Sequence, residues 1–299
     1  MTEEVARADA DWLALREPAD AAARSVQLVN ALRPHLPTDG LVIHDFGCGT
    51  GSMSRWLAPQ LSGPQHWVGY ERDEDLLTRA TAAPPPLSRD GQAITTEWRL
   101  REITRLPPSD LTGASLVTAS ALLDMMTREE IERMVASIAG AGCPALITLS
   151  VVGQVKLAPA HPLDGRITAA FNDHQMRETG HGQLLGPGAV DVAAAEFLHA
   201  GYTVQLAPSP WQVDSRDTVL LESWLTGWVG AACEQDSTLQ SEGSDYLGLR
   251  KEQVEGGQLA ATVHHRDLFF LPRRASEIYI SGTVPWLVSP RAIAPVREG

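Results

Sequence analysis

The sequence predicts an α/β fold: a doubly wound, mainly parallel sheet with helices on both faces, N-terminal helices ahead of it and a helical insert within it. Three observations carry this. Between residues 41 and 151 short apolar runs alternate with helix-period segments, the pattern of strands joined by crossover helices. A glycine-rich turn follows the first run directly. Beyond Val152 the alternation gives way to a polar, Pro- and Gly-containing stretch too long for an ordinary loop.

Residues 1–38 read as helical and are expected to form a lid. Val26, Val29 and Leu32 stand at helical spacing, and Pro18 suits the start of a helix. Asp20 and Arg24 are spaced as an i,i+4 ion pair. Pro34 and Pro37 end the segment.

The main domain, 39–299, begins with the strand Leu41–Phe46, the turn Gly47-Cys48-Gly49-Thr50-Gly51 and a helix carrying Met53, Trp56, Leu57 and Leu61. Trp67–Tyr70 is the second strand and ends at Glu71. A helix starts near Asp73 and stops at Pro84-Pro85-Pro86. Ile94–Leu100 and Ser115–Ala119 are the third and fourth strands. Thr127-Arg128-Glu129-Glu130 is a capping box that opens a helix with Ile131, Met134, Val135 and Ile138 on one face. Ala145–Val151 is the fifth strand.

Two inserts are expected on the substrate side, at about 153–187 and 214–263. Between them lie a helix, Ala189–Ala200, and a strand, Tyr202–Leu206. Thr218–Ala232 reads as a helix with Trp224 and Trp228 at i,i+4, residues 245–262 as another, and Asp267–Leu271 as the last strand.

Composition narrows the function classes. The chain has 299 residues, 43% hydrophobic and 20% charged, with a net charge of −13. That suits a packed core and opposes a phosphate-tracking surface, so no nucleic-acid partner is expected. No apolar run is long enough to cross a bilayer, and the acidic N-terminus lacks the apolar core of a secretory signal. Cys48, Cys143 and Cys233 are too scattered for a disulfide framework or a zinc site. A cytoplasmic location and no metal are expected.

The strongest motif is Asp45-Phe46-Gly47-Cys48-Gly49-Thr50-Gly51, between a strand and a helix. Its glycines permit a tight turn and a close approach of the backbone to a ligand at the strand's C-terminal end. A nicotinamide or flavin fingerprint would place its third glycine at position 52, where Ser52 stands. Glu71, at the end of the second strand, is placed to accept both hydroxyls of a ribose.

These residues resemble the class I S-adenosylmethionine-dependent methyltransferases, specifically over 40–150 and more loosely through 189–206 and 267–271. The resemblance implies a Rossmann-like fold and S-adenosyl-L-methionine as cofactor. It implies that Asp45 orients the glycine loop near the methionine end, that Gly47, Gly49 and Gly51 make room, and that Glu71 holds the ribose, with Cys48 and Arg72 also expected at the cofactor. Glu102 and Ile103 would lie by the adenine, and Ser120 by the sulfonium. The segments Leu15–Asp20, Ala119–Asp124, Ala170–Gln175 and His264–Leu268 look like those of a bacterial subgroup of uncertain substrate. The Asn-Pro-Pro-Tyr run of DNA amino-methyltransferases is absent after the fourth strand.

The reaction expected is methyl transfer to a small molecule. The alternatives are a non-catalytic S-adenosylmethionine-binding regulator or scaffold, and a nicotinamide-dependent oxidoreductase, which Ser52 opposes. Asp124, just past the fourth strand, is a candidate general base, and His174 a second catalytic candidate. Asn172, Gln175 and His265 are candidate substrate contacts. Trp12, Trp211, Trp224, Trp228 and Trp286 could wall a flat substrate or pack as core, and Met125 and Met126 read as packing. Acceptor atom and oligomeric state are left open.

Overall fold

The computed structural model describes residues 8–273. Trp286 and the ends of the chain lie outside them. Two helices lead: α1, Ala10–Ala23, capped by Asp9, and α2, Val26–Leu32, capped by Ser25. Then follow β1, Leu41–Phe46, α3, Ser52–Leu57, β2, Gln65–Glu71, α4, Glu74–Ala82, β3, Ile94–Leu100, β4, Leu116–Ser120, and α5, Arg128–Ala141. The Asp73 side chain caps α4, and Thr127 and Glu130 make both bonds of the capping box on α5. The elements from β1 to α5 lie where hydrophobic period and cap chemistry place them.

The second half holds β5, Ala145–Ala158, α6, Asp164–Gln175, and the small hairpin β6, Glu178–Thr179, with β7, Gly182–Gln183. It continues with α7, Ala189–His199, β8, Tyr202–Pro208, β9, Trp211–Val213, α8, Thr218–Gln235, α9, Gln240–Glu255, and β10, Ala260–Pro272. The main sheet runs β3-β2-β1-β4-β5-β10-β8, with β9 on the far end of β10. The pairs from β3 through β5 are parallel; β10 is antiparallel to both β5 and β8. One apolar cluster, with Ile131, Met134, Val135 and Phe197, covers one face, and another, with Leu28, Leu32, Met53 and Leu57, covers the other. This is the doubly wound Rossmann-like arrangement.

Several boundaries differ from the sequence reading. Pro18 sits inside α1, not at its start. Asp20 pairs with Arg16, at 3.0 Å, rather than with Arg24, because Arg24 lies beyond the last turn of α1 and points toward β4. β5 runs on to Ala158 and β10 begins at Ala260, so residues 260–262 are strand, not helix, and His264 and His265 lie within the last strand rather than before it. Both strands outrun the sheet core and, with β9, carry a separate apolar cluster, including Trp211, Leu221, Leu225 and Trp228. Helices α6, α8 and α9 pack there as a cap. Trp224 and Trp228 stack on each other at 5.1 Å within it.

The junction between core and cap is built on Asp267. Its buried carboxylate accepts the amides of Leu149, at 2.8 Å, and Ser25, at 2.6 Å. Leu149 has φ +57°, a left-handed backbone that leucine rarely adopts, at an irregularity between β5 and β10. The bond from Ser25 ties the α1–α2 corner to the middle of the sheet.

Candidate active site

A cleft of about 640 Å³ opens at the C-terminal ends of β1, β2 and β4. Its floor is the glycine turn. Gly47, Gly49 and Gly51 have φ of +61°, +54° and +84°, all left-handed. A Cβ on Gly47 would stand 3.0 Å from the Leu122 side chain, and one on Gly49 would stand 3.4 Å from Leu13. The loop is therefore glycine for two reasons: its backbone turns the wrong way for other residues, and Leu122 and Leu13 pack closely over it.

Three carboxylates mark the floor. Asp45 is buried; its Oδ1 accepts from Thr118 Oγ1 at 2.7 Å while its Oδ2 has no partner. Burial lifts this carboxyl to about 7 against the pull of Thr118 and Arg24. Glu71 Oε2 accepts the amide of Gly49 at 3.0 Å, and its Oε1 accepts the amides of Arg72 and Asp73, at 2.8 and 3.1 Å. One side chain thus joins the glycine turn to the start of α4. Glu102 Oε1 accepts from the Thr104 amide and hydroxyl, and Glu102 lines the cleft with Ile103 and Leu76 as apolar neighbours.

Beyond β4 the backbone is strained. Ala121 has φ +50° while its amide still bonds the Thr148 carbonyl at 2.9 Å. This bend carries Leu122 back over Gly47 and brings Ser120, Met125 and Met126 to the cleft wall. Helix α1 supplies the opposite wall with Trp12, Leu13, Arg16 and Asp20. Glu17 anchors that helix to the floor through Arg55, at 2.6 Å, which also donates to the Thr50 carbonyl, at 2.6 Å.

Residues 43–142 match the family model described as a methyltransferase domain. The match covers that stretch of the chain and describes it as a methyltransferase domain. No curated protein matches the chain. Solved structures similar to it include a cyclopropane synthase from Mycobacterium tuberculosis, at 12% identity and TM-score 0.45, over 82% of this chain and 83% of that one. Another is an S-adenosylmethionine-dependent methyltransferase from Geobacter sulfurreducens in complex with S-adenosyl-L-homocysteine, at 14% identity and TM-score 0.41, over 88% of this chain and 98% of that one.

The cleft fits S-adenosylmethionine, the cofactor that the sequence resemblance implies, in its chemistry. A cradle without Cβ atoms, a carboxylate at the end of β2 and an apolar slot at Ile103 meet a nucleoside's needs. The unpartnered Asp45 Oδ2 is a buried acceptor awaiting a cationic donor. All ten expected cofactor residues (Asp45, Gly47, Cys48, Gly49, Gly51, Glu71, Arg72, Glu102, Ile103 and Ser120) border the cleft or, for Gly51, lie within its turn. The Cys48 thiol is buried and its pKa is pushed up by burial, so it is packing rather than a nucleophile.

The expected substrate side is placed differently. None of Asp124, Asn172, His174, Gln175 and His265 borders the cleft. Asp124 Oδ2 instead accepts from Gln175 Nε2 at 3.3 Å, tying the β4 loop to α6, and burial raises its carboxyl above the usual range. Asn172 donates to the Gly153 carbonyl at 2.9 Å. His174 is half-buried and its pKa is lowered, chiefly by burial. His265 is buried with its ring 5.6 Å from that of Trp211, and burial lowers it to about 4, so it is neutral near pH 7. For Asn172, His174 and Gln175 the reason is topological: α6 packs on α8 in the cap rather than beside the cleft.

Sequence reasoning missed His181 and Arg16. His181, at the tip of the β6–β7 hairpin, is the insert's contribution to the cleft of the methyltransferase domain. The Thr127–Leu184 bridge and the bond from the Leu185 amide to the Met126 carbonyl, at 3.0 Å, hold that hairpin against the β4 loop. The paired turn Thr179–Gly182 was its only sequence signal. Among the described residues no three His, Cys, Asp or Glu side chains stand together as a metal site, and no helix is long and apolar enough to cross a membrane.

Proposed function

We propose that this methyltransferase acts on a small molecule held between helix α1 and the β6–β7 hairpin. The observation that carries the reading is the roofed cleft. Its volume, about 640 Å³, lies in the ordinary range of small-ligand sites. Trp12, Leu13, Leu122, Met125 and Met126 leave little width for a polymer, and the net charge of −13 opposes a nucleic-acid partner.

The bound cofactor supplies a methyl group on a positively charged sulfur, already activated for transfer. What the chain supplies is position and dryness. Glu71 and the glycine turn hold the nucleoside end. Asp45 Oδ2 and Ser120 border the place where the methionine end lies. Leu13 and Leu122 close over the turn and exclude water from it. Asp124 does not face this space, so no general base is assigned to it; an acceptor that needs a proton removed would meet His181 or Glu130 at the cleft wall. The segments 1–38, 153–187 and 214–263 serve in this reading as the lid and the substrate-side structure around one catalytic domain.

The test is transfer of a labelled methyl. The protein incubated with methyl-labelled S-adenosylmethionine and a fractionated metabolite extract should place label in the low-molecular-mass fraction. Label found instead on protein or RNA in a matched extract would overturn the small-molecule reading while leaving the methyltransferase intact.

A further inference from the structure

The segment Leu15–Asp20 is absorbed only in part by the cofactor floor, through Glu17. On the same helix Arg16 stands between Trp12 and Asp20 on the cleft wall. Its Nε and Nη2 donate to the two oxygens of Asp20, at 3.0 and 3.2 Å. Asp20 is itself held by the Trp211 indole N–H at 2.9 Å. The guanidinium lies 4.9 Å from the Trp211 ring and 6.0 Å from that of Trp12. Its side chain is only 15% exposed. Arg16 is therefore clamped on one edge and stacked on one face, while Nη1 has no hydrogen-bond partner among the described residues.

A second cation stands behind it. Arg24 is buried, and Nη2 donates to Ser52 and Ser120, at 3.2 and 3.0 Å, while Nε and Nη1 are unpartnered. Around the two arginines only Asp20 is directly paired to a guanidinium. Asp45 is hydrogen-bonded to Thr118, and Asp267 to backbone amides. Arg16 thus stands on the cleft wall with Asp20 as its partner carboxylate, and Arg24 lies buried outside the cleft lining. A planar, pre-oriented guanidinium edge in a partly dried site is the geometry that recognises a carboxylate by paired hydrogen bonds.

We propose that Arg16 is a carboxylate-binding residue of the cleft, presented by α1 and oriented by Asp20 and Trp211. The proposal rests on the methyltransferase reading, since the carboxylate belongs either to the amino-acid end of the cofactor or to an acidic methyl acceptor. Asp45 Oδ2, an unpartnered acceptor on the same floor, suits the ammonium of the former. In either case the ligand would contact α1, which Glu17 holds to the glycine turn through Arg55.

Calorimetry with two ligands decides the source. S-adenosylhomocysteine carries the amino-acid end; 5′-methylthioadenosine keeps the nucleoside and lacks it. Arg16→Gln should weaken S-adenosylhomocysteine about tenfold to a hundredfold, the effect of losing charge-assisted bonds, and leave methylthioadenosine within about twofold. Arg16→Lys, a point charge without the fork, should fall between. Unchanged methylthioadenosine binding shows that the variant is folded at the site. If the carboxylate is the acceptor's, S-adenosylhomocysteine is unaffected, the wild-type complex prefers benzoate to benzamide, and Arg16→Gln loses that preference. The proposal is overturned if both nucleosides weaken together. It is equally overturned if neither weakens and the wild type shows no preference for the acid, or the variant keeps it. A wild type that binds neither nucleoside removes the cofactor reading as well, a result distinct from loss of the Arg16 increment alone.

Discussion

The floor of the cleft and the cap beside it are built on opposite terms. The floor uses residues close in sequence: Asp45 through Gly51 turn once, and Glu71, a strand away, bonds the amide of Gly49. The cap uses residues far apart: Arg250 donates to Asp164 and to the Pro159 carbonyl, at 2.5 and 2.8 Å, and Asp20 on α1 takes the indole of Trp211. The floor can be read as a motif because its geometry is local. The cap is held by buried long-range polar bonds whose partners no spacing announces.

If that contrast is sound, breaking each region should break a different property. The largest effect belongs to Gly49→Val. A β-branched side chain at φ +54° enters the ligand space, and S-adenosylhomocysteine binding should disappear by calorimetry with the fold retained. Removing one member of a buried pair costs about 3 kcal/mol or more, so Asp164→Ala should lower unfolding free energy in urea by that order. The Arg250 guanidinium would be left buried with a partner missing, yet cofactor affinity should change little because neither residue borders the cleft. Equal effects of both substitutions on affinity and stability would erase the distinction.

Glu71→Ala comes next. It removes the proposed ribose acceptor and frees the amides of Gly49, Arg72 and Asp73, and should weaken cofactor binding by roughly 1.5–3 kcal/mol.

Asp45 sharpens the comparison through pH. Its carboxyl titrates at about 7 in the folded chain, above the unfolded value, so the folded state binds the extra proton between the two. Its contribution to stability is present below the unfolded pKa and is lost as pH rises through about 7. Binding of a cationic ammonium should run the other way, strengthening as Asp45 ionises across that pH. Asp45→Asn should flatten both trends; a wild-type affinity independent of pH from 6 to 8 would count against an ammonium at Oδ2. The smallest effect is expected for Gln175→Ala, which removes only the bond to Asp124 and should leave cofactor affinity unchanged.

The same contrast explains what could be read from the sequence. Strands β1 to β4 and helix α5 followed from apolar period and from caps at Asp73 and Thr127, and the residues of the cleft floor were picked out by the glycine spacing and Glu71. The substrate side did not. Asn172 and Gln175 share a helix face as their spacing implies, but that face reaches Gly153 and Asp124 rather than the cleft, because α6 is turned by its packing on α8. Helical period shows that residues share a face and leaves open what the face meets. The extension of β5 and β10 was hidden because partly exposed edge segments such as Gln154–Lys156 lack a continuous apolar run. Arg24 was read as a partner of Asp20 by spacing alone, whereas the chain turns at Ser25 and sends it to Ser52 and Ser120.

The central claim is that the glycine turn, Asp45 and Glu71 form one cofactor site. Titration of the full chain with S-adenosylhomocysteine, beside the Gly49→Val variant and with NADH as the competing nucleotide, tests it most directly. The account predicts one S-adenosylhomocysteine bound per chain, none by the variant, and no heat with NADH. Absence of binding to the wild type, or equal binding to the variant, would contradict it.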